Sequence, residues 1–275
     1  MNQSKTLLNP DVVIVGAGVA GIYMLHKLKS MGLKTVVLEK SDELGGTWNW
    51  NRYPGARCDI PSLEYSYQFD DELQQDWNWS EKYSAQPEIL EYLNHVADRF
   101  DLRKDINFEE EVLEAKFNEE SSLWNIKTNK DNYESKFCIF ATGCLSIPNK
   151  PDIEGLNKFE GQLLSTSYWP REGADLSGKN VAIIGTGSSS IQTIPEIAKD
   201  VKNLYVFQRT PNYSIPSNNG PMDKEVEEDI KSRYTEFRKE NWSNGFGIAG
   251  ISDEALIAES DIDEVNNQLE ENWKN

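Results

Sequence analysis

Two glycine-rich turns of one kind constrain this chain more than any other feature. The first, Gly16-Ala17-Gly18-Val19-Ala20-Gly21, follows the apolar run Val12 to Val15. The second, Gly185-Thr186-Gly187-Ser188-Ser189-Ser190, follows Val181 to Ile184. A short apolar run before such a turn reads as a buried strand, and helical spacing of apolar residues after it reads as a helix. Ile22, Leu25 and Leu28 have that spacing, Gly32 ends the helix, and Lys34 to Leu38 makes the next strand. The second turn is followed in the same way by a helix over Ser188 to Lys199 and a strand over Asn203 to Phe207. Each turn therefore opens a β-α-β unit.

The glycines have distinct tasks. In the first turn Gly16 permits the tight bend, Gly18 lets backbone approach a pyrophosphate, and Gly21 lets helix pack on strand. The helix then presents unpaired N–H groups to phosphate oxygens. The residue closing each unit is charged, with opposite sign: Glu39 in the first, Arg209 in the second. A carboxylate there hydrogen-bonds a free ribose diol, whereas an Arg pairs with a ribose 2′-phosphate. The expectation is α/β architecture with two Rossmann-type dinucleotide-binding domains. One takes a cofactor without the 2′-phosphate and the other takes NADP, the pairing of a flavoprotein fed by NADPH.

With 275 residues the chain has room for two modest domains. Its formal net charge of −18 excludes nucleic acid and an anionic membrane surface as partners. The three cysteines, Cys58, Cys138 and Cys144, form no disulfide framework. His26 and His95 have no ligand-spaced partner, so no metal is expected. Residues 1–10 lack a signal pattern, and no apolar run approaches the ~20 residues of a membrane span, so a cytoplasmic protein is expected.

Residues 41–85 read as an aromatic-rich loop with short helices, and 87–100 as a helix with one apolar stripe. Strands are expected near Asn107 and over Val112 to Phe117, Trp124 to Thr128 and Phe137 to Ala141, with a turn at Asn129 to Asp131. Pro148 to Gly155 reads as a linker. The expected domains are 1–147, 148–215, and the start of a helical insertion over 216–275, with one helix over Lys224 to Trp242 and a polar surface helix or frayed tail after Ser252. A doubly wound domain needs about five or six strands, and the second unit offers two. The expectation is a fragment lacking its C-terminal parts, or a chain completed by a second one.

The longer motifs carry a resemblance. Leu44-Gly45-Gly46-Thr47-Trp48 follows Glu39, and Asn51-Arg52-Tyr53-Pro54-Gly55-Ala56-Arg57-Cys58-Asp59 comes next. Ala141-Thr142-Gly143 ends a strand, and Val206-Phe207-Gln208-Arg209-Thr210 ends another. Together with Trp169-Pro170 and the second glycine turn, these strings resemble the Baeyer–Villiger flavin monooxygenases of the cyclohexanone and phenylacetone monooxygenase type, over residues 9–240.

That resemblance implies FAD and NADPH as cofactors and molecular oxygen and a ketone as substrates, with an ester or lactone formed through a flavin C4a-peroxide. It implies that Glu39 holds the adenosine ribose of FAD and that Gly46, Thr47, Trp48, Asn49 and Trp50 run beside the flavin. Asp59 and Tyr65 would lie near the flavin too, Val112 would meet the adenine through its backbone, and Thr142 and Gly143 would admit the cofactor. On the NADP side it implies Gly185, Thr186, Gly187, Ser188, Ser189, Ser190, Ile191 and Gln192 around the pyrophosphate, Arg209 and Thr210 at the 2′-phosphate, and Arg57 and Cys58 toward the nicotinamide. Asp59 and Arg57 would support catalysis, while the family's catalytic arginine lies C-terminal to everything in this chain.

Two departures stand out. The fingerprint F-x-G-x-x-x-H-x-x-x-W-P is met by Phe159, Gly161, Trp169 and Pro170, but Ser165 replaces the His. Asn49 stands where an aromatic residue is common in the family. Rival readings are a nitrogen- or sulfur-oxygenating flavin enzyme and a dinucleotide-binding but catalytically incomplete half-protein. A disulfide reductase is excluded, because no C-x-x-C or C-x4-C pair exists.

Overall fold

The computed structural model describes residues 5–145, 147–149, 151–212, 214, 216–245, 247–248 and 261–274. In chain order the elements are β1 (Leu7–Leu8), β2 (Val12–Val15), α1 (Val19–Ser30), β3 (Thr35–Leu38), α2 (Thr47–Trp50), α3 (Asp71–Asp76), α4 (Gln86–Arg99), β4 (Ile106–Asn107), β5 (Val112–Asn118), β6 (Leu123–Thr128), β7 (Asn132–Ser135) and β8 (Phe137–Phe140). Then come β9 (Asn180–Ile184), α5 (Ser188–Ile197), β10 (Asn203–Phe207), α6 (Lys224–Ser232), α7 (Tyr234–Ser243) and α8 (Ile262–Lys274). No helix among the described residues is long and apolar enough to cross a membrane.

Contacts divide the chain into two compact units, Met1–Pro54 with Ile89–Asp175, and Gly55–Glu88 with Leu176–Asn275. The division is not the linear one expected from the Pro148–Gly155 linker. The first unit runs on through the fingerprint to Asp175, and the segment Gly55–Glu88 groups with the second.

In the first unit, β4-β3-β2-β8 form a parallel sheet. Val12, Val13 and Ile14 are buried on its central strand, as a parallel strand covered on both faces requires. Helix α1 buries Ile22, Leu25 and Leu28 at the expected spacing. A second sheet, β1-β7-β6-β5, meets the first through a shared cluster of Val13, Leu38, Ile126 and Tyr133. Strands β1 and β7 are the elements the sequence pattern does not show. β1 is two exposed leucines, and β7 carries one large apolar residue, Tyr133, among polar ones.

In the second unit β9 and β10 pair in parallel, and α5 connects them. Ile184 and Phe207 of this two-stranded sheet are 67% and 58% exposed. The helix expected over Lys224 to Trp242 is broken. Arg233 leaves helical geometry at φ −132° and ψ 33°, and α7 starts afresh with Tyr234 and Phe237 buried while Val226 on α6 stays exposed. Arg238 of α7 is buried and donates to Gln74 Oε1 at 3.1 Å and Ser66 Oγ at 2.7 Å. Residues 219–222 run alongside 80–83, with the Lys82 N–H donating to the Gly220 carbonyl at 3.0 Å and the Met222 N–H to Ser80 at 2.9 Å. These bonds hold the Gly55–Glu88 segment in the second unit.

Candidate dinucleotide sites

The two glycine turns share one local geometry. The Gly16 N–H donates to the carbonyl of Leu38, and the Gly185 N–H to that of Phe207, both at 2.8 Å. Gly16 sits at φ +102° and Gly185 at φ +104°, a region that glycine enters without strain. Gly18 and Gly187 cap α1 and α5 in extended conformation. The same strand-turn-helix device thus occurs once in each unit.

Their surroundings differ. A Cβ on Gly21 would lie 1.9 Å from the Gly16 carbonyl oxygen, so helix and turn meet backbone to backbone. A Cβ on Gly46 would lie 2.8 Å from the Gly18 Cα, and one on Gly16 would lie 2.7 Å from the Ala141 carbonyl oxygen. The Gly45-Gly46 pair and the Ala141-Thr142-Gly143 turn therefore close directly on the first glycine turn. A further clamp is the Gly45 N–H, which donates to the Ala17 carbonyl at 2.9 Å. Around Gly185 and Gly187 no atom of the described residues, their immediate chain neighbours and own helix backbone aside, stands within 4 Å of an added Cβ, which leaves a cradle open.

Glu39 follows β3 and is 5% exposed. Its Oε2 accepts the Ala17 N–H at 2.7 Å, and its Oε1 accepts the Ser41 N–H at 2.8 Å. Each carboxylate oxygen has two acceptor directions, so each keeps one for a hydroxyl. A vicinal ribose diol, which supplies two donors, fits that acceptor pair. The Glu39 backbone N–H donates to Asn107, and its carbonyl accepts from Glu110, so the segment leading to Val112 lies beside it. The Val112 side chain packs on the core cluster. An open cleft of about 420 Å³ in the first unit is lined by Lys40, Ser41, Asp42, Trp50, Glu111 and Arg171, among others.

The loop after Glu39 is ordered from within. Asn49 is 2% exposed, and its amide donates to Ser41 Oγ at 2.6 Å and to the Glu43 carbonyl at 3.2 Å. Arg52 donates to the Asn49 Oδ1 and main-chain carbonyl, both at 2.6 Å. Asn49 therefore secures the loop with its side chain, where the resemblance puts it beside the flavin. Trp48 is buried, and Trp50 meets Tyr168 edge to face at 6.1 Å between ring centroids. Thr142 and Gly143 are exposed.

In the second unit Thr186 is the anchor of the turn. Gln208 Nε2 donates to its Oγ1 at 2.9 Å, and Asn212 Nδ2 donates to its carbonyl at 2.5 Å. These bonds tie the turn to the segment after β10 that carries Arg209 and Thr210, both exposed. Ser188, Ser189, Ser190 and Ile191 form the first turn of α5. Gln192, further along that helix, donates to Asp59 Oδ1 at 3.0 Å and to the Arg57 carbonyl at 3.2 Å. Gly55 makes the approach possible, because a Cβ there would lie 2.3 Å from the Gln192 carbonyl oxygen.

Arg57 does not pair with Asp59. Its guanidinium binds Glu81 Oε2 at 2.7 Å, and Asn219 Nδ2 donates to the same oxygen at 2.6 Å. Cys58 is buried, and burial pushes its thiol up from the ordinary range, away from thiolate chemistry. Of the proposed FAD ligands, Glu39, Gly46–Trp50, Val112, Thr142 and Gly143 belong to the first unit, whereas Asp59 and Tyr65 belong to the second. The proposed NADP ligands all belong to the second. The structure adds Ser41, Glu81, Asn219 and Arg171, none of which carries a motif. Ser165 caps a single 3-10 turn, its Oγ accepting the Ser167 N–H at 3.3 Å. Gly161 of the fingerprint is covered by the Phe159 ring, 2.5 Å from where a Cβ would stand.

The profile described as "Pyridine nucleotide-disulphide oxidoreductase" matches residues 13–271, and the chain belongs to that family. Its resemblance to the Baeyer–Villiger monooxygenases is borne out by individual relatives. It is 43% identical over 229 residues to an acetone monooxygenase (methyl acetate-forming) of Gordonia sp. (strain TY-5), covering 83% of this chain and 43% of that protein. It is 36% identical to a phenazine N-monooxygenase of Lysobacter antibioticus, covering 88% and 46%. Among solved structures, ε-caprolactone-bound cyclohexanone monooxygenase superposes with a TM-score of 0.92 at 40% identity, covering 98% of this chain and 53% of that one. A complex of OTEMO with FAD and NADP gives 0.90 at 36% identity, covering 99% and 52%.

The chain thus spans about half the length of the relatives it matches. Each of these relatives carries the matched region within one longer chain, so the comparisons give no support to a separate second chain. The architecture is the α/β flavoprotein monooxygenase fold. The family description mentions disulphides, but the cysteines of this chain are free.

Proposed function

We propose that this chain forms the FAD- and NADPH-binding part of a flavoprotein monooxygenase that inserts one atom of dioxygen beside a ketone carbonyl. The observation that carries the reading is the duplicated turn with opposite charges after it: Glu39, whose carboxylate is fixed by two backbone N–H groups, and Arg209, which follows the open cradle of Gly185 and Gly187. A guanidinium there matches the oxygens of a 2′-phosphate. Bound FAD would supply hydride acceptance from NADPH and the activation of oxygen.

The residues of this chain bind and orient. Glu39 would take the adenosine diol of FAD, and the backbone of Gly18 and Gly46 would lie against its phosphates and flavin end. Gly187 and the first N–H groups of α5 would receive the NADP pyrophosphate. Glu81, itself held by Asn219, fixes Arg57 in one orientation, and Gln192 ties Asp59 to α5, so both groups keep fixed positions relative to the NADP turn.

A second reading, oxygenation of nitrogen with the same cofactors, is favoured by the likeness to the phenazine N-monooxygenase. The purified chain is expected to take up FAD and to oxidise NADPH, and ester or lactone formed when a ketone is added would favour the first reading. N-oxide from a heteroaromatic amine without ester from any ketone would favour the second reading. Bound FAD without either product would identify the chain as a cofactor-binding part only, and absence of FAD uptake would refute both.

A further inference from the structure

The stretch after the fingerprint Trp169-Pro170 returns to the loop after β3 through one side chain. Arg171 donates from Nη1 to Asp42 Oδ2 at 2.8 Å and from Nη2 to Asp42 Oδ1, a two-pronged carboxylate contact. The same Nη2 reaches Ser41 Oγ at 3.4 Å. Ser41 is 3% exposed and is the hub of the loop: its N–H donates to Glu39 Oε1 at 2.8 Å, its Oγ accepts the Asn49 amide at 2.6 Å, and its hydroxyl donates to Asp42 Oδ1 at 3.0 Å. The Trp50–Tyr168 ring contact fastens the same two segments a few residues away. The guanidinium also holds the Asp42 carboxyl below the ordinary range, with its hydrogen bond as the leading cause.

We infer that Arg171 is a positioning residue for the adenosine end of the FAD site, acting on the Glu39 carboxylate through Asp42 and Ser41; the inference rests on the reading of Glu39 as the ribose ligand. A flexible loop at 41–43 would let the Ser41 N–H leave the carboxylate, and Glu39 would then be free to turn away from a diol. A fork donor on both oxygens of Asp42 removes that freedom, and a single ammonium cannot reproduce it.

The test compares FAD with its analogue lacking the adenosine 2′-hydroxyl, titrated by flavin fluorescence into the wild-type chain, R171A, R171K and D42N. The wild type is expected to prefer FAD by about ten-fold, the worth of one charge-assisted hydrogen bond. R171A and D42N should bind FAD about five-fold more weakly, bind the analogue almost as before, and show a preference of about two-fold, with R171K between these and wild type. A merely structural role would weaken both ligands alike. An unchanged preference in R171A, or equal losses for both ligands, overturns the inference. If the wild type itself takes up no FAD or shows no preference, the Glu39 assignment fails separately. Amide exchange at Ala17 and Ser41 then decides: faster exchange at both in R171A supports the coupling, and unchanged exchange overturns it.

Discussion

Replacing Glu39 by Gln is the sharpest perturbation of the first site, because the side chain keeps its shape and loses one acceptor. The carboxylate is 5% exposed and accepts two backbone N–H groups, at 2.7 and 2.8 Å. In Gln, either the Ala17 or the Ser41 N–H must face an NH2 donor. A hydrogen bond to a charged acceptor is worth about 1.5–3 kcal/mol, and a buried donor left unpaired costs about 1–3 kcal/mol, two overlapping descriptions of one loss. E39Q should therefore lower stability by about 3 kcal/mol, a large share of the about 5–15 kcal/mol of an ordinary domain. Urea unfolding followed by tryptophan fluorescence would read it as a lower midpoint with unchanged slope. FAD affinity should fall about ten-fold as well, since one ribose hydroxyl loses its charged acceptor. A stability loss below about 0.5 kcal/mol, together with unaltered FAD affinity, would refute the reasoning, because it would mean that the two short contacts do no work in the folded chain.

Two glycine substitutions separate packing from ligand space. G21A puts a Cβ 1.9 Å from a backbone oxygen and should cost about 3 kcal/mol or more in urea unfolding, whereas G187A meets no non-neighbouring atom of the described residues and should leave stability within about 1 kcal/mol. G187A should nevertheless weaken NADPH about ten-fold by calorimetry, since its methyl fills the cradle. R209A should weaken NADPH about ten- to a hundred-fold and leave NADH unaltered, and equal losses would sink the 2′-phosphate assignment. Among the thiols, exposed Cys144 should react first with an aromatic disulfide reagent, while Cys58 and Cys138 lag. Burial pushes Cys138 up to about 11 from an ordinary 9.0, so the unfolded chain loses that proton first and the stability contributed by this thiol declines as pH rises from 9 toward 11.

The glycine turns, the strands on either side of them and the charged residues at Glu39 and Arg209 were legible because each rests on local backbone chemistry: a positive φ, a close approach, an apolar run. What lay outside the sequence pattern is non-local. Strand β7 exists because Tyr133 packs on Val13, Leu38 and Ile126, and nothing in Asn132–Ser135 alone announces a strand. The break at Arg233 divides a segment whose apolar spacing reads as continuous helix. The surroundings of Arg57 are equally non-local: its guanidinium binds Glu81, whose Oε2 also accepts from Asn219, more than a hundred positions along the chain. The Asn49 amide closes the loop on Ser41, a contact that nothing in the local sequence announces. The Pro-rich linker is visible in sequence, but the grouping of Gly55–Glu88 with the second unit depends on pairing with residues 219–222.

Equilibrium dialysis of one chain against FAD and NADP+ together tests the two-cofactor assignment most directly. Two nucleotides should be retained per chain, one of each kind, with neither displacing the other. Retention of a single nucleotide, for which FAD and NADP+ compete, would contradict it.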